Sequence, residues 1–204
     1  MNKVGFLLSG SGSTLSNFLK WQNDKKFAGK IAVVISSKPH VKGLQIAKEV
    51  GIPSYCIEYQ SFKGNVEAYS KAITDKLLEY KVDWVVMGGF LSFYNVPPCY
   101  QDKVFNVHPS LIPAFCGQGM YGSKVHEAVL EYGVKLTGCT VHLVNNQYDA
   151  GPIVAQKAVV VEDNDTPQSL AQKVQAQERE IYPLAVHDFI LGNLKLEGRR
   201  VIKA

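Results

Sequence analysis

Apolar residues in the first half of the chain fall into short continuous runs, and between the runs they take helical spacing. Val4, Phe6, Leu7 and Leu8 form the first run, within residues 3–9, and Ser9-Gly10-Ser11-Gly12-Ser13 ends it. Residues 31–35 and 84–87 are two more, and 55–57 is a shorter one. Unbroken apolarity over so few residues predicts strands covered on both faces. Leu15, Phe18 and Leu19, then Leu44, Ala47 and Val50, then Val66, Tyr69, Ile73, Leu77 and Leu78 follow a helical period. Strand and helix thus alternate, which predicts an α/β fold of Rossmann-like type, a mostly parallel sheet with helices on both faces.

Residues 104–113 read Val-Phe-Asn-Val-His-Pro-Ser-Leu-Ile-Pro. Val104, Phe105 and Val107 mark the end of a buried strand. Asn106 and His108 alternate with Val107 and so leave the strand on one face. Pro109 ends the strand, and with Pro113 it stiffens the segment after it. Beyond residue 133 the pattern changes. Residues 137–144 alternate, with Cys139, Val141 and Leu143 against Thr140 and His142. A turn-rich loop over 145–151 leads to a strand over 153–161, which predicts an antiparallel hairpin extending the parallel half. Residues 167–192 predict a long C-terminal helix with Thr166 as N-cap and Pro167 at its first position. Pro183 lies inside it and predicts a kink or break.

Composition narrows the field. The 204 residues are 46% hydrophobic and 20% charged, as in a globular chain. The reading is a single domain over 1–204, in two halves, 1–100 and 101–204. A net charge of +4, spread along the chain, gives no case for nucleic acid. Cys56, Cys99, Cys116 and Cys139 form no Cys-x-x-Cys pair, so neither zinc nor dithiol chemistry is indicated, and free thiols suit a cytosolic protein. No apolar run approaches a membrane span. Met1-Asn2-Lys3 leads directly into a strand, so no signal peptide is expected.

Three features sit at the carboxyl ends of predicted strands, where open α/β sheets bind ligands: residues 9–14, 88–94 and 106–109. Gly10-Ser11-Gly12-Ser13-Thr14 joins the first strand to the first helix. Amides at a helix N-terminus favour an anion. A third dinucleotide-type glycine and a P-loop lysine are both missing, which favours a phosphomonoester; a plain tight turn explains the segment equally well. Asn106 offers an amide donor for a developing oxyanion, and His108 offers a proton carrier near neutral pH. Asp149 reads by itself as a turn residue, but a loop folded towards His108 would let its carboxylate raise the imidazole pKa. His142 reads by itself as a structural histidine. Residues 115–122, with three glycines, suit a mobile lid or an ordinary surface loop.

Taken together these residues resemble the glycinamide ribonucleotide formyltransferases of purine biosynthesis. The resemblance rests on the 9–14 loop, Gly89-Phe90-Leu91, Asn106-Val107-His108-Pro109-Ser110-Leu111-Ile112-Pro113, Thr137-Gly138-Cys139-Thr140-Val141-His142, Asp149-Ala150-Gly151-Pro152-Ile153 and residues 173–183. It implies transfer of the formyl group of 10-formyltetrahydrofolate to the amine of glycinamide ribonucleotide. Residues 1–100 would be the nucleotide-binding half and 101–204 the catalytic and folate-binding half. Catalysis would fall to Asn106, His108 and Asp149, with His142 in the same polar cluster. Gly12, Ser13, Thr14, Gln175 and Glu178 would hold the ribonucleotide. Leu91, Ser92, Phe93, Tyr94, Asn106, Asn145, Asn146, Gln147, Tyr148 and Asp149 would enclose the folate. No metal is implied, and the protein would act as a monomer or homodimer in the cytoplasm. Two positions depart from the family pattern: Thr14 stands where Asn is usual, and Ser92 where many relatives carry an Arg for the folate glutamate tail. Two readings compete with this one: a formyltransferase for another amine such as an amino sugar, and a catalytically silent folate- or nucleotide-binding module.

Overall fold

The computed structural model describes residues 1–204. Its elements are β1 (Asn2–Leu8), α1 (Ser13–Asn23), β2 (Gly29–Ser36), α2 (Lys42–Glu49), β3 (Ser54–Cys56), α3 (Val66–Glu79), β4 (Trp84–Met87), β5 (Val104–His108), α4 (Ser123–Tyr132), β6 (Leu136–Leu143), β7 (Ile153–Val160), α5 (Pro167–Leu191), β8 (Leu194–Glu197) and β9 (Arg200–Lys203). Seven strands form one sheet in the order β3-β2-β1-β4-β5-β6-β7, and β8 and β9 form a separate hairpin. β1 pairs in parallel with β2 and β4, β2 pairs in parallel with β3, and β6 and β7 are antiparallel. The mostly parallel α/β sheet, its antiparallel extension and the long C-terminal helix are those the sequence pattern predicts. No helix is long and apolar enough to cross a membrane.

The chain divides into two compact units, Met1–Phe105 and Asn106–Ala204, and the division falls inside β5. In the first unit Val4, Phe6, Leu7 and Leu8 of β1 and Val33, Val34 and Ile35 of β2 are fully buried. Phe18 of α1 meets Phe6 edge-on with centroids 5.7 Å apart. Tyr69, Ile73 and Leu77 of α3 are likewise buried, at the helical spacing read from the sequence. Continuous apolarity of the strands is thus explained by cover on both faces.

In the second unit α5 packs on β6 and β7, and α4 lies against α5. A reciprocal cap starts α5: Ser169 N–H donates to Thr166 Oγ1 (3.1 Å), and Thr166 N–H donates to Ser169 Oγ (2.9 Å). Such a cap stabilises a helix by about 1 kcal/mol. Lys173 reaches back to Asp165 (2.8 Å) and Glu162 (2.9 Å) just before the helix. Of the kink or break anticipated at Pro183, the break does not occur; the helix runs through it. An interior proline costs about 3 kcal/mol. Burying Ile181 and Val186 on either side of it returns about 1.5–3 kcal/mol each, so packing outweighs the local penalty. The sequence pattern assigns no element to α4 or to the β8–β9 hairpin. In α4 only Val125, His126 and Val129 are buried, too sparse an apolar stripe to announce a helix.

Candidate active site

His108 ends β5 and is only 4% exposed. Its Nε2 lies 2.9 Å from the carbonyl oxygen of Phe115. A carbonyl only accepts, so Nε2 carries the hydrogen and Nδ1 is the nitrogen whose protonation varies. That Nδ1 lies 3.5 Å from Asp149 Oδ2. Burial lowers the His108 pKa below the ordinary histidine value; the Asp149 charge and the Phe115 carbonyl oppose that lowering without cancelling it. The sequence pattern predicts that the carboxylate raises this pKa. The carboxylate does act in that direction, but desolvation of the ring is the larger effect.

Asp149 stands in a left-handed backbone conformation (φ 50°), a turn geometry that Asp and Asn adopt more readily than most residues. Its Oδ2 accepts from Gly117 N–H at 2.9 Å, and its Oδ1 lies 3.6 Å from His142 Nε2. Burial pushes the Asp149 pKa up, but the protonated form of the His142 ring, the His108 charge and the Gly117 amide together hold it below the ordinary aspartate value. Asp149 is therefore ionised beside a histidine that is neutral at rest and takes its proton at Nδ1, facing the carboxylate.

His142, by itself a structural histidine in the sequence, joins the same polar cluster, as the family resemblance implies. It is 2% exposed. Nδ1 lies 3.0 Å from the carbonyl oxygen of Leu143, so it donates there, and Nε2 accepts from Asn106 Nδ2 at 3.2 Å. One amide hydrogen of Asn106 is thereby fixed on His142, and the second remains for another acceptor. The β6–β7 register shifts between Val141 and His142, and a bulge of this kind re-aims a side chain. Gly151 is essential to this corner: a Cβ there would lie 1.7 Å from the Leu143 carbonyl oxygen. The available signal was polarity. Thr137 to Leu143 are buried without exception, so Thr140 and His142 had to find buried partners. Thr140 does so by donating to the Ser110 carbonyl (2.7 Å) and accepting from Ile112 N–H (3.0 Å), which fastens the segment after His108 to β6.

The structure thus brings Asn106, His108, His142 and Asp149 together within the second unit. Asn145 is half-buried and accepts from Gln147 N–H (3.1 Å), while Asn146, Gln147 and Tyr148 are exposed. Gln175 and Glu178 lie one helical turn apart on α5. Burial pushes the Glu178 carboxyl up to about 7, against the pull of Arg179. Gly117, Gly119 and Gly122 all take positive φ, so the glycines of 115–122 shape its turns. Phe115 also does (φ 51°), and this conformation carries the carbonyl that His108 meets.

Within the first unit, α1 starts at a Gly12 N-cap with φ 74°, and no side chain caps it. A Cβ on Gly12 would lie 2.6 Å from Gly43 Cα, so local packing by itself demands glycine here. Ser13 is exposed and Thr14 half-buried at the uncapped helix end. Leu91 is 55% exposed, and Ser92 and Phe93 are half-buried. Tyr94 points inward, 2% exposed, with its hydroxyl bonded to Thr74 Oγ1 (2.9 Å).

An amide, two imidazoles and a carboxylate gathered at the end of a sheet strand supply a hydrogen-bond donor suited to an oxyanion and groups able to exchange a proton beside it. The formyl transferase profile matches residues 2–186, and the chain belongs to that family. It is 33% identical, over 97% of its own length and 91% of the other, to the phosphoribosylglycinamide formyltransferase of Haemophilus influenzae. It is 37% identical to the human trifunctional purine biosynthetic protein adenosine-3 over 95% of the chain, but the match spans only 19% of that longer protein. Against the chloroplastic phosphoribosylglycinamide formyltransferase of Arabidopsis thaliana it spans 62% of the relative's length. The crystal structure of glycinamide ribonucleotide transformylase 1 from Symbiobacterium toebii superposes with a TM-score of 0.92 at 36% identity, covering 100% of this chain and 94% of that one.

Proposed function

We propose that the chain transfers the formyl group of 10-formyltetrahydrofolate to the amine of glycinamide ribonucleotide. The observation that carries this reading is the convergence of Asn106, His108 and Asp149 in a member of the formyl transferase family. The amine nitrogen attacks the formyl carbon, and the carbonyl oxygen gains negative charge. The Asn106 hydrogen not held by His142 stabilises that charge as a fixed donor in a buried site, and His108, neutral at rest, adds its positive charge once its Nδ1 takes the proton that the attacking nitrogen gives up. The C–N bond to the folate then breaks. The attacking nitrogen loses one proton, and the folate nitrogen that leaves gains one. Asp149 serves this exchange by holding the charge of the His108 imidazolium and by accepting from the water that carries the proton.

The uncapped start of α1, with Ser13 and Thr14, is the proposed phosphate site, since helix N-terminal amides favour an anion. Gln175 and Glu178 are proposed to hold the remainder of the ribonucleotide. Leu91, Ser92, Phe93 and the loop 145–149 are proposed to contact the folate, and Tyr94 supports them from inside. The reading carries no metal and a cytoplasmic location, as a monomer or homodimer.

The test is a formyl-transfer assay with purified protein, the folate donor and a panel of amines, including glycinamide ribonucleotide and an amino sugar. The reading requires turnover with the ribonucleotide well above the amino sugar. Turnover with the sugar alone would move the substrate assignment. Saturable binding of both ligands without transfer would make the chain a binding module.

A further inference from the structure

Residues 115–117 touch both ionisable groups of the site. The Phe115 carbonyl meets His108 Nε2 at 2.9 Å, and Gly117 N–H donates to Asp149 Oδ2 at 2.9 Å. A neutral imidazole carries one hydrogen, and two acceptors compete for that of His108. The Phe115 carbonyl keeps it on Nε2. The Asp149 carboxylate, 3.5 Å from Nδ1, draws it towards Nδ1. An ionised acceptor makes the stronger hydrogen bond, so the carbonyl prevails only because it is held the closer of the two.

Ser110 holds it there. This residue is fully buried and follows His108 by two positions. Its Oγ donates to the Ala114 carbonyl at 2.6 Å and to the Phe115 carbonyl at 3.3 Å. The Phe115 oxygen, with two lone pairs, therefore receives both His108 Nε2 and the serine hydroxyl. Phe115 needs such support, because its φ of 51° is uncommon for a bulky side chain. Ser110 is fixed in turn from the sheet. Its carbonyl accepts from Thr140 Oγ1 at 2.7 Å. Gln156, which faces Thr140 across the β6–β7 ladder, donates from Nε2 to Thr140 Oγ1 at 3.0 Å and to the Ile112 carbonyl at 3.1 Å. A continuous series of hydrogen bonds thus runs from β7 through β6 and Ser110 to the His108 ring.

We propose that Ser110 is a positioning residue that sets the tautomer of His108. By fixing the Phe115 carbonyl it keeps the ring hydrogen on Nε2 and leaves Nδ1 bare beside Asp149. Formyl transfer as read above requires that arrangement, since the bare Nδ1 takes the proton that the attacking amine gives up. Without Ser110 the hydrogen moves to Nδ1, on the carboxylate, and the basic nitrogen turns away from Asp149. The catalytic consequence rests on the formyl-transfer reading; the tautomer itself is a property of the free protein.

The experiment compares wild type, Ser110→Ala and Ser110→Cys. Proton–nitrogen NMR of histidine-labelled protein at about pH 8, where an imidazole is neutral, reads which ring nitrogen of His108 carries the hydrogen. Steady-state kinetics gives kcat and both KM values. Wild type should show Nε2–H. Ser110→Ala should shift the balance towards Nδ1–H, with kcat about fivefold to tenfold lower, the worth of one lost hydrogen bond, and both KM values in place. Ser110→Cys keeps a weak donor and should fall between the two in both measurements; it carries the test alone if Ser110→Ala does not fold. A His108 ring that stays on Nε2–H in both variants would overturn the inference and leave Ser110 as a partner for buried carbonyls, whatever happens to activity. Nδ1–H in the wild type would overturn it equally. A shifted tautomer with unchanged kcat, or wild-type protein without formyl transfer, would instead overturn the functional reading and leave the tautomer assignment standing.

Discussion

The two units offer opposite kinds of surface. In the first, residues 9–14 and 88–95 carry no charged side chain; they offer backbone amides, hydroxyls and one exposed leucine, and the proposed recognition would rest on these. In the second, two buried imidazoles are packed with a half-buried carboxylate and a half-buried amide. Holding a phosphate or a flat ring asks mainly for donors at fixed positions, which a helix end and a turn supply at any moderate pH. Stabilising charge that appears and vanishes during a reaction asks for buried ionisable groups, and these depend on one another and on pH. Substitutions in the first unit should therefore alter affinities, and substitutions in the second should alter turnover and its pH dependence.

The largest effect expected is at Asn106. Asn106→Ala removes the amide donor and leaves His142 Nε2 without its partner. Turnover should fall about a hundredfold to a thousandfold, with both substrate affinities little changed. Steady-state kinetics with each substrate varied checks this. A normal kcat accompanied by weakened binding would erase the distinction between the units.

Next comes Asp149→Asn, which keeps the shape and suits the left-handed backbone at this position. The Asp149 charge works to raise the His108 pKa, so its loss lets burial lower that pKa further. The pH limb belonging to His108 should move to lower pH, and kcat should drop about a hundredfold as proton transfer fails. A kcat–pH profile that superposes on wild type would reduce Asp149 to a turn residue.

How far the sequence reveals these two surfaces depends on the same difference. The first unit can be read almost element by element, because each of its strands is a short apolar run and its glycine-rich turn is contiguous. What stays ambiguous is purpose: Gly12 is required by its φ and by Gly43 whether or not a phosphate binds. In the second unit Asn106 and His108 are legible from alternation in one strand. Asp149 and His142 lie more than thirty residues further on, and their approach depends on a bulge and on a close contact at Gly151, which no local period encodes. Asp149 and the place of His142 beside it are reached from the sequence only through resemblance to a family, and the hydrogen bonds of His142 only through the structure. The same limit hides α4 and the β8–β9 hairpin, whose few buried side chains leave a weak periodic trace.

A smaller effect is expected at the phosphate loop. Gly12→Val would clash with Gly43 and test the fold rather than the ligand, so the hydroxyls are the better probe. Ser13→Ala and Thr14→Val should each weaken the ribonucleotide about threefold to tenfold, the worth of one hydrogen bond, and leave kcat and the folate affinity in place. Calorimetric titration with each ligand separates these outcomes. Equal loss of both ligands would show that residues 13 and 14 support the unit as a whole.

The smallest effect concerns stability. His40, the only histidine of the first unit, is exposed, whereas His108, His126 and His142 of the second are buried. His126 lies on α4, its Nδ1 has no hydrogen-bond partner, and burial, aided by the His108 charge, lowers its pKa. A histidine whose folded pKa lies below its unfolded value binds more protons when unfolded, so stability rises with pH through that interval and falls as pH drops below about 6.5. One proton contributes at most about 1.4 kcal/mol per pH unit. His108 acts in the same direction, and Glu178, raised to about 7, acts in the opposite one between its unfolded and folded values. The total curve therefore mixes several groups, but the difference between wild type and His126→Leu isolates one. That variant should lose less stability than wild type on going from pH 7 to pH 5, and it should be no less stable at pH 7, since it removes an unpartnered buried nitrogen. Urea unfolding at a series of pH values measures this directly. Parallel curves for the two proteins would mean that His126 does not change its protonation on unfolding, and the acid sensitivity assigned to the second unit would then have to come from His108 and its neighbours alone.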